Sequence, residues 1–395
     1  MSGGTRSYEF SRRLVQRGHR VNLIAGAPPG RADHEWRTTI EGGVTVHWCP
    51  TEYSQRMNFK ARVKSFASYA VRAARYADVL PKDVLFASST PLTVALPGAY
   101  ASRRAGVPMV FEVRDVWPEV PIAMGLLDNP LLRFSARRLE AWAYGQSSSV
   151  ITLSPDMERS IRSRFPGTSV ITIPNSSDVD LFPAPDPGDV AAVRRERPWL
   201  GEGPVVVYTG TFGAVNNVGW IVDVAAELLV DAPDVRFLLV GEGGDKPGVE
   251  VRARDAGVLG RNLFVEPPVP KRQVPALVAA ADLCTSFVAD IPALWANSAN
   301  KVFDAFAAAR PVAVNTGGWI ANLLEETGAG LALPPQDPVA AAKMLASRLH
   351  DQDWLERARS ASAELARTKF NRDAQFDEFE GVLNAAVERA ASTTQ

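Results

Sequence analysis

The sequence predicts an α/β protein built from two doubly wound parallel sheets, and three observations predict it. Apolar runs of strand length alternate with helical patterns from end to end, the pattern of parallel α/β units. A Pro-rich polar stretch at residues 183–190, PAPDPGDV, interrupts the alternation and reads as a linker. At 395 residues the chain exceeds what one core supports. Composition narrows the class further: 46% apolar and 22% charged residues with a net charge of −1 give no global attraction to nucleic acid or anionic membrane. Cys49 and Cys284 lie far apart beside apolar runs and are expected to be core thiols rather than a disulfide. His19, His34, His47 and His350 show no Cys/His spacing, so no metal is expected. With no apolar run of membrane-spanning length and no signal-peptide core in MSGGTRSYEF, a cytoplasmic location is expected.

In chain order, strands are expected at residues 21–24, 44–48, 84–86, 109–113, 150–153 and 170–173, with helices such as 7–17 and 131–144 between them. After the linker they recur at 205–208, 237–240, 263–265, 283–286, 312–314 and 331–333. Residues 372–391 read as a last amphipathic helix with Phe376, Phe379, Val382 and Leu383 on its apolar side. The expected division is 1–183, 184–371 and a C-terminal helix 372–395 that packs back across the fold. Paired sheets of this kind bind ligands in the cleft where their carboxyl ends face one another.

Residues 297–319, NSANKVFDAFAAARPVAVNTGGW, carry the strongest local signal. Asn297, Ser298 and Asn300 are placed to cap a helix, and Lys301 adds a full charge beside its positive dipole end, which suits a diphosphate. Asp304, at i+3, offers an acceptor-only carboxylate to the hydroxyls of a ribose. After a short strand, Gly317 and Gly318 let backbone approach a ligand. An ordinary surface ion pair between Lys301 and Asp304 stays open as the alternative. In the first half, MVFEVRDVWPE at residues 109–119 places Arg114, Asp115 and Glu119 directly after a buried strand, for the cleft or for an ion network that fixes the loop. Residues 56–75, running from Arg56 to Arg75, hold six basic residues, no acids, and Phe59, Val63, Phe66, Ala67, Ala70 and Ala74 at helical spacing. This basic amphipathic helix fits an anionic membrane surface, or a core-packed helix with a solvated face.

Set together, these residues resemble the retaining glycosyltransferases of family 4, which have the GT-B fold. Gly3-Gly4-Thr5-Arg6 with Glu9, Leu14 and Gly18-His19-Arg20-Val21 is similar to the family's glycine loop and first helix. Pro174-Asn175-Ser176-Ser177-Asp178 with Phe182 resembles its linker signature, Ser176 replacing a glycine. Tyr208 to Gly213 with Asn216, and Val240-Gly241-Glu242-Gly243, stand where its loops meet the donor. Asn300-Lys301-Val302-Phe303-Asp304 and Gly317-Gly318-Trp319 match the form found in members that build lipid-linked polysaccharides, the WbuB-like aminosugar transferases. The resemblance implies a donor site of Gly3, Gly4, Gly210, Thr211, Phe212, Gly213, Asn216, Glu242, Asn300, Lys301, Asp304, Gly317, Gly318 and Trp319. Asp115, beside Arg114, is then the candidate for orienting or deprotonating the acceptor hydroxyl.

Three departures limit the transfer. Relatives carry a strand before the glycine loop, whereas here Met1 sits almost on that loop. Either translation starts upstream or the first sheet lacks its central strand, which would expose two strand edges and cost stability. The first of the family's two glutamates falls on Ala296, leaving Asp304 for the second. The arginine and lysine after the second domain's first strand correspond to Thr211 and Asn217, so diphosphate charge rests on Lys301. The implied activity is metal-independent transfer of an N-acetylated or deoxy hexosamine from a UDP-sugar to a lipid-linked or other glycan acceptor. No cofactor is implied, since the nucleotide-sugar is a substrate, and the location is cytoplasmic with peripheral contact at the inner membrane face. A nucleotide-sugar 2-epimerase and a non-catalytic sugar-nucleotide binding protein are the alternatives.

Overall fold

A computed structural model describes residues 6–27, 35–53, 57, 59–89, 91–182 and 187–394. The chain divides into two compact units, Met1–Ile173 with Phe376–Gln395, and Pro174–Gln375. The division falls before the expected linker because the segment from Pro174 is strapped into unit two. Asn175 Nδ2 donates to the Ser298 carbonyl (2.6 Å), and Arg372 pairs with Asp178 (3.0 Å). Of the expected linker, residues 183–186 lie outside the described residues and Pro187–Glu196 is already helical.

Unit two carries six strands, β8 to β13 in chain order: Val205–Thr211, Arg236–Glu242, Leu263–Glu266, Leu283–Ser286, Val312–Val314 and Gly330–Ala332. They form one parallel sheet in the order β10-β9-β8-β11-β12-β13. This is a doubly wound Rossmann order, and its direction reverses between β8 and β11. Both faces are covered, so the strands are continuous apolar runs: Val206, Phe237, Leu239 and Leu283 pack on one side, Val205, Val207, Leu238 and Cys284 on the other.

Unit one holds β1 to β7: Asn22–Gly26, Arg37–Glu41, Val44–Cys49, Leu85–Ser88, Met109–Val113, Ser149–Thr152 and Val170–Thr172. Among the described residues they make two sheets, β1-β3-β2 and β4-β5-β6-β7. Each has a parallel strand at its edge, β1 in one and β4 in the other. The helix Arg6–Gln16 serves both, with Phe10 and Leu14 packing in one cluster with Val110, Ile151 and Phe379 and Val15 in another with Val44 and Trp48. Strand β2 was not among the expected strands. It pairs antiparallel with β3 through a two-residue turn, Gly42-Gly43, where both residues have positive φ (58° and 81°).

The last helix, Arg372–Thr394, buries Phe376, Phe379, Val382 and Leu383 as its pattern requires. The basic segment differs from expectation: its helix is Phe59–Val79, and Arg56 lies outside the described residues. Ala70 is buried and Phe66 stacks on Tyr53 (5.5 Å), so these members of the apolar set pack inward. The exposed stripe is Val63, Ala67 and Val71 instead. Among the described residues no helix is long and apolar enough to cross a membrane. Cys49 and Cys284 are free and buried, and burial pushes the Cys284 thiol up to about 12.

Candidate active site

The reversal point of unit two brings the carboxyl end of β8 beside the start of the helix Asn300–Ala307, which follows β11. A crevice at this point of an open α/β sheet is where ligands bind. Lys301 Nζ lies 4.0 Å from the centroid of the Tyr208 ring, a cation over a π-face. A Cβ at Gly210 would stand 2.6 Å from that Nζ and 3.2 Å from the Tyr208 hydroxyl, so only glycine lets the lysine reach this seat. Burial pushes the Lys301 ammonium down to about 7. Among the described residues no carboxylate is paired with this desolvated ammonium, a setting in which an anion would offset the cost of its burial.

Asp304 points elsewhere. It accepts a hydrogen bond from Ser177 Oγ (2.6 Å), and burial raises its carboxyl while Ser177 and Arg372 pull it back. The surface ion pair between Lys301 and Asp304 is thereby ruled out as an account of the two residues. The cap is also not as expected. Ala299 occupies it without a side-chain bond, Asn300 is the first helical residue, and Ser298 is buried against Asn175.

Around them, Tyr208 donates to the Thr211 carbonyl (2.8 Å), and Asn216 Nδ2 donates to the same oxygen (2.9 Å). Thr211 and Asn216 thus shape the turn that Gly213 closes. Phe212 is fully buried, edge-on to Tyr208 at 5.9 Å, and is a core residue. Gly241 and Gly243 have a packing reason, because a Cβ on either would overlap the backbone carbonyls of Gly210 and Phe212. Glu242 between them is 63% exposed at its side chain and 4.0 Å from Lys246 Nζ. Gly317 lies under Trp295, whose ring a Cβ would meet at 3.0 Å, and Gly318 adopts φ 86° as it enters the next helix. Trp319 is 7% exposed, packs with Phe303 and Phe370, and donates to the Asn297 carbonyl (2.9 Å). Its place is in the core, holding the loop before Lys301, rather than on a pocket wall.

In unit one, Gly3 and Gly4 lie outside the described residues. Arg114 and Asp115 are half-buried in the bend after β5, the Arg114 N–H donating to Ser89 Oγ (3.0 Å). Glu119 pairs with Arg137 (3.2 Å). The central charge of this unit is Glu112, fully buried, which accepts from Arg6 Nε (2.7 Å) and Ser88 Oγ (2.6 Å). Its signal was present: a carboxylate inside the apolar strand MVFEV needs a buried partner. Tyr208 and Ser177 lie within segments that carry the resemblance, but nothing in their spacing pairs them with Lys301 or Asp304.

Residues 3–176 match the glycosyl transferase 4-like domain, and residues 203–351 match the domain of glycosyl transferases group 1. The chain is 22% identical over 286 residues to Alpha-D-kanosaminyltransferase of Streptomyces kanamyceticus, covering 71% of each. It is 25% identical to the WcaI protein of Escherichia coli (strain K12), named for colanic acid biosynthesis glycosyl transfer, over 68% of this chain and 69% of that one. Among solved structures, Anabaena Alr3699/HepE in complex with UDP and glucose superposes with a TM-score of 0.72 at 17% identity. That match covers 98% of this chain and 97% of the other.

Proposed function

Since this chain is a glycosyltransferase of the GT-B fold with family-4-like domains, we propose that it transfers an N-acetylated or deoxy hexosamine from a uridine diphosphate donor with retention of configuration. The acceptor in this reading is a lipid-linked or other glycan, as in WbuB-like members. The observation that carries the reading is the Lys301 ammonium seated on Tyr208 beside Gly210 at the reversal point. Breaking the bond to a diphosphate puts negative charge on the leaving oxygen, and a fixed, desolvated cation stabilises that charge without a resident metal. The kanosaminyl and UDP-bound relatives support the sugar and the nucleotide assigned here.

The remaining residues take roles around Lys301. Asp304 accepts the ribose hydroxyls beside Ser177, and Glu242 at the exposed turn meets the nucleoside. Gly210, Thr211, Gly213 and Asn216 form a turn that approaches the diphosphate, and Gly317-Gly318 borders the sugar. Asp115, with Arg114, orients the acceptor hydroxyl, while the leaving phosphate takes its proton on the face it departs from. Location is read as cytoplasmic, with peripheral contact at the membrane through residues 56–75. The epimerase and non-catalytic readings have no observation in their favour.

A donor panel with mass-spectrometric detection and anomeric analysis of the product tests this. Transfer from a UDP-hexosamine with retained anomeric configuration is expected, and Asp115→Ala should slow it about 100-fold or more. Epimerised donor without transfer, or binding without turnover, would overturn the reading; turnover of Asp115→Ala within twofold of wild type would remove Asp115 alone.

A further inference from the structure

We propose that Ser177 is a positioning residue for the donor, its hydroxyl fixing the Asp304 carboxylate so that the site selects a nucleoside diphosphate with an intact ribose diol. The proposal rests on the reading of Asp304 as the ribose acceptor and adds what makes that acceptor selective. Asp304 lies one turn into the helix Asn300–Ala307, partly exposed, with a single methylene between backbone and carboxylate. Ser177 is 3% exposed and comes from 127 residues away in sequence, its Oγ donating to Asp304 Oδ1 at 2.6 Å.

The serine is held on both sides. Before it, Asn175 Nδ2 donates to the Ser298 carbonyl (2.6 Å), in the loop that leads into the helix of Asp304. After it, Asp178 pairs with Arg372 (3.0 Å), and the same guanidinium donates to the Ser176 carbonyl. Ser177 itself forms an isolated parallel bridge with Asn371. Its hydroxyl has one proton, and that proton is committed to Asp304, so the pair offers only acceptors to anything further. A ribose diol brings two protons to that surface. A nucleotide without them leaves a desolvated carboxylate short of donors, and this is the kind of site that discriminates strongly.

The charged groups that face Asp304 are Arg372 at the start of the last helix, Lys271 in the turn after β10, and Asp178; the Cys284 thiol, on β11, is one that Asp304 helps to hold protonated. Burial raises the Asp304 carboxyl, Ser177, Arg372 and Lys271 lower it, and Asp178 raises it. Removing the Ser177 hydroxyl takes away a lowering contribution, so the carboxylate is lost at a higher pH on acidification. A bond that merely strapped residues 174–178 to the helix would change stability without changing which nucleotide is preferred.

Calorimetric titration of the full chain with UDP and with 2′,3′-dideoxy-UDP, followed from neutral to acid pH, is the test. The ratio of the two affinities is read, because Lys301 and the nucleotide's own phosphates titrate alike for both ligands and cancel. Wild type should prefer UDP about 100-fold. Ser177→Ala should cut that preference about tenfold and lose the remainder at a higher pH than wild type. Ser177→Thr, which keeps the hydroxyl, should restore both, and Ser177→Cys, a weak donor of similar size, should move in the direction of alanine even if the alanine variant does not fold. In an Asp304→Asn background, Ser177→Ala should change the ratio less than about twofold. A lower Tm in Ser177→Ala and Ser177→Cys with wild-type preference and pH profile would overturn the role of Ser177 and leave Asp304 as the ribose acceptor. Equal binding of the two nucleotides by wild type would remove Asp304 from that role and this proposal with it. Binding of neither would overturn the nucleotide reading as a whole.

Discussion

Lys301 is a cation in the wrong place for one. In an unfolded chain its pKa is about 10.4, whereas burial on Tyr208 brings it to about 7. Between those values the unfolded chain binds more protons, so stability climbs as pH rises from 7 and is lost as pH falls back. Lys301→Met should therefore melt above wild type at pH 7, with the gap narrowing by pH 9. An equal gap at both values would show that the lysine is not desolvated. The same substitution should weaken UDP binding about 10- to 100-fold, the worth of a charge-assisted bond. Wild-type binding above pH 7 should take up protons, measurable by calorimetry in buffers of different ionisation enthalpy.

At the scale of the element, the helix Asn300–Ala307 shows how a small residue governs a boundary. Its end is a Schellman turn, with the Ala309 N–H on the Phe306 carbonyl (2.9 Å) and the Arg310 N–H on the Ala305 carbonyl (2.8 Å). The left-handed position falls on Ala309, φ 52°, where glycine is the usual occupant. Ala309→Gly should stabilise unit two by about 0.5–1 kcal/mol and raise its Tm by about 2 °C. A lower Tm would mean that the alanine methyl packs favourably enough to offset its conformation. All six strands of unit two were legible, because central parallel strands are apolar on both faces. Strand β2 was not, since RTTIE is too polar to register by itself. Only the Gly-Gly pair that follows, needed for a turn with two positive φ angles, betrays a hairpin. Lys301 and Asp304 were both legible as polar positions on one helix, but their separate partners, Tyr208 and Ser177, arrive from distant segments that spacing cannot connect.

For the whole molecule, the contrast between the two units matters more than either alone. Unit two has one uninterrupted parallel sheet; among the described residues unit one has two, with β1 and β4 at their edges. Strands β5 and β6 are buried at every residue, while Leu23, Ile24 and Ala25 of β1 stay partly exposed. Amide hydrogens report such a difference directly, because an edge opens without disturbing the rest of its sheet. In deuterated buffer the amides of β1 and β4 should exchange well before those of β5, β6 and β8. Uniform protection across unit one would show that something already lies along those edges. The consequence is an edge whose behaviour depends little on side chains. A parallel sheet edge presents backbone donors and acceptors in a fixed rhythm, and any extended segment of matching length can add to it. How readily such an edge opens is set by its backbone more than by the residues it carries.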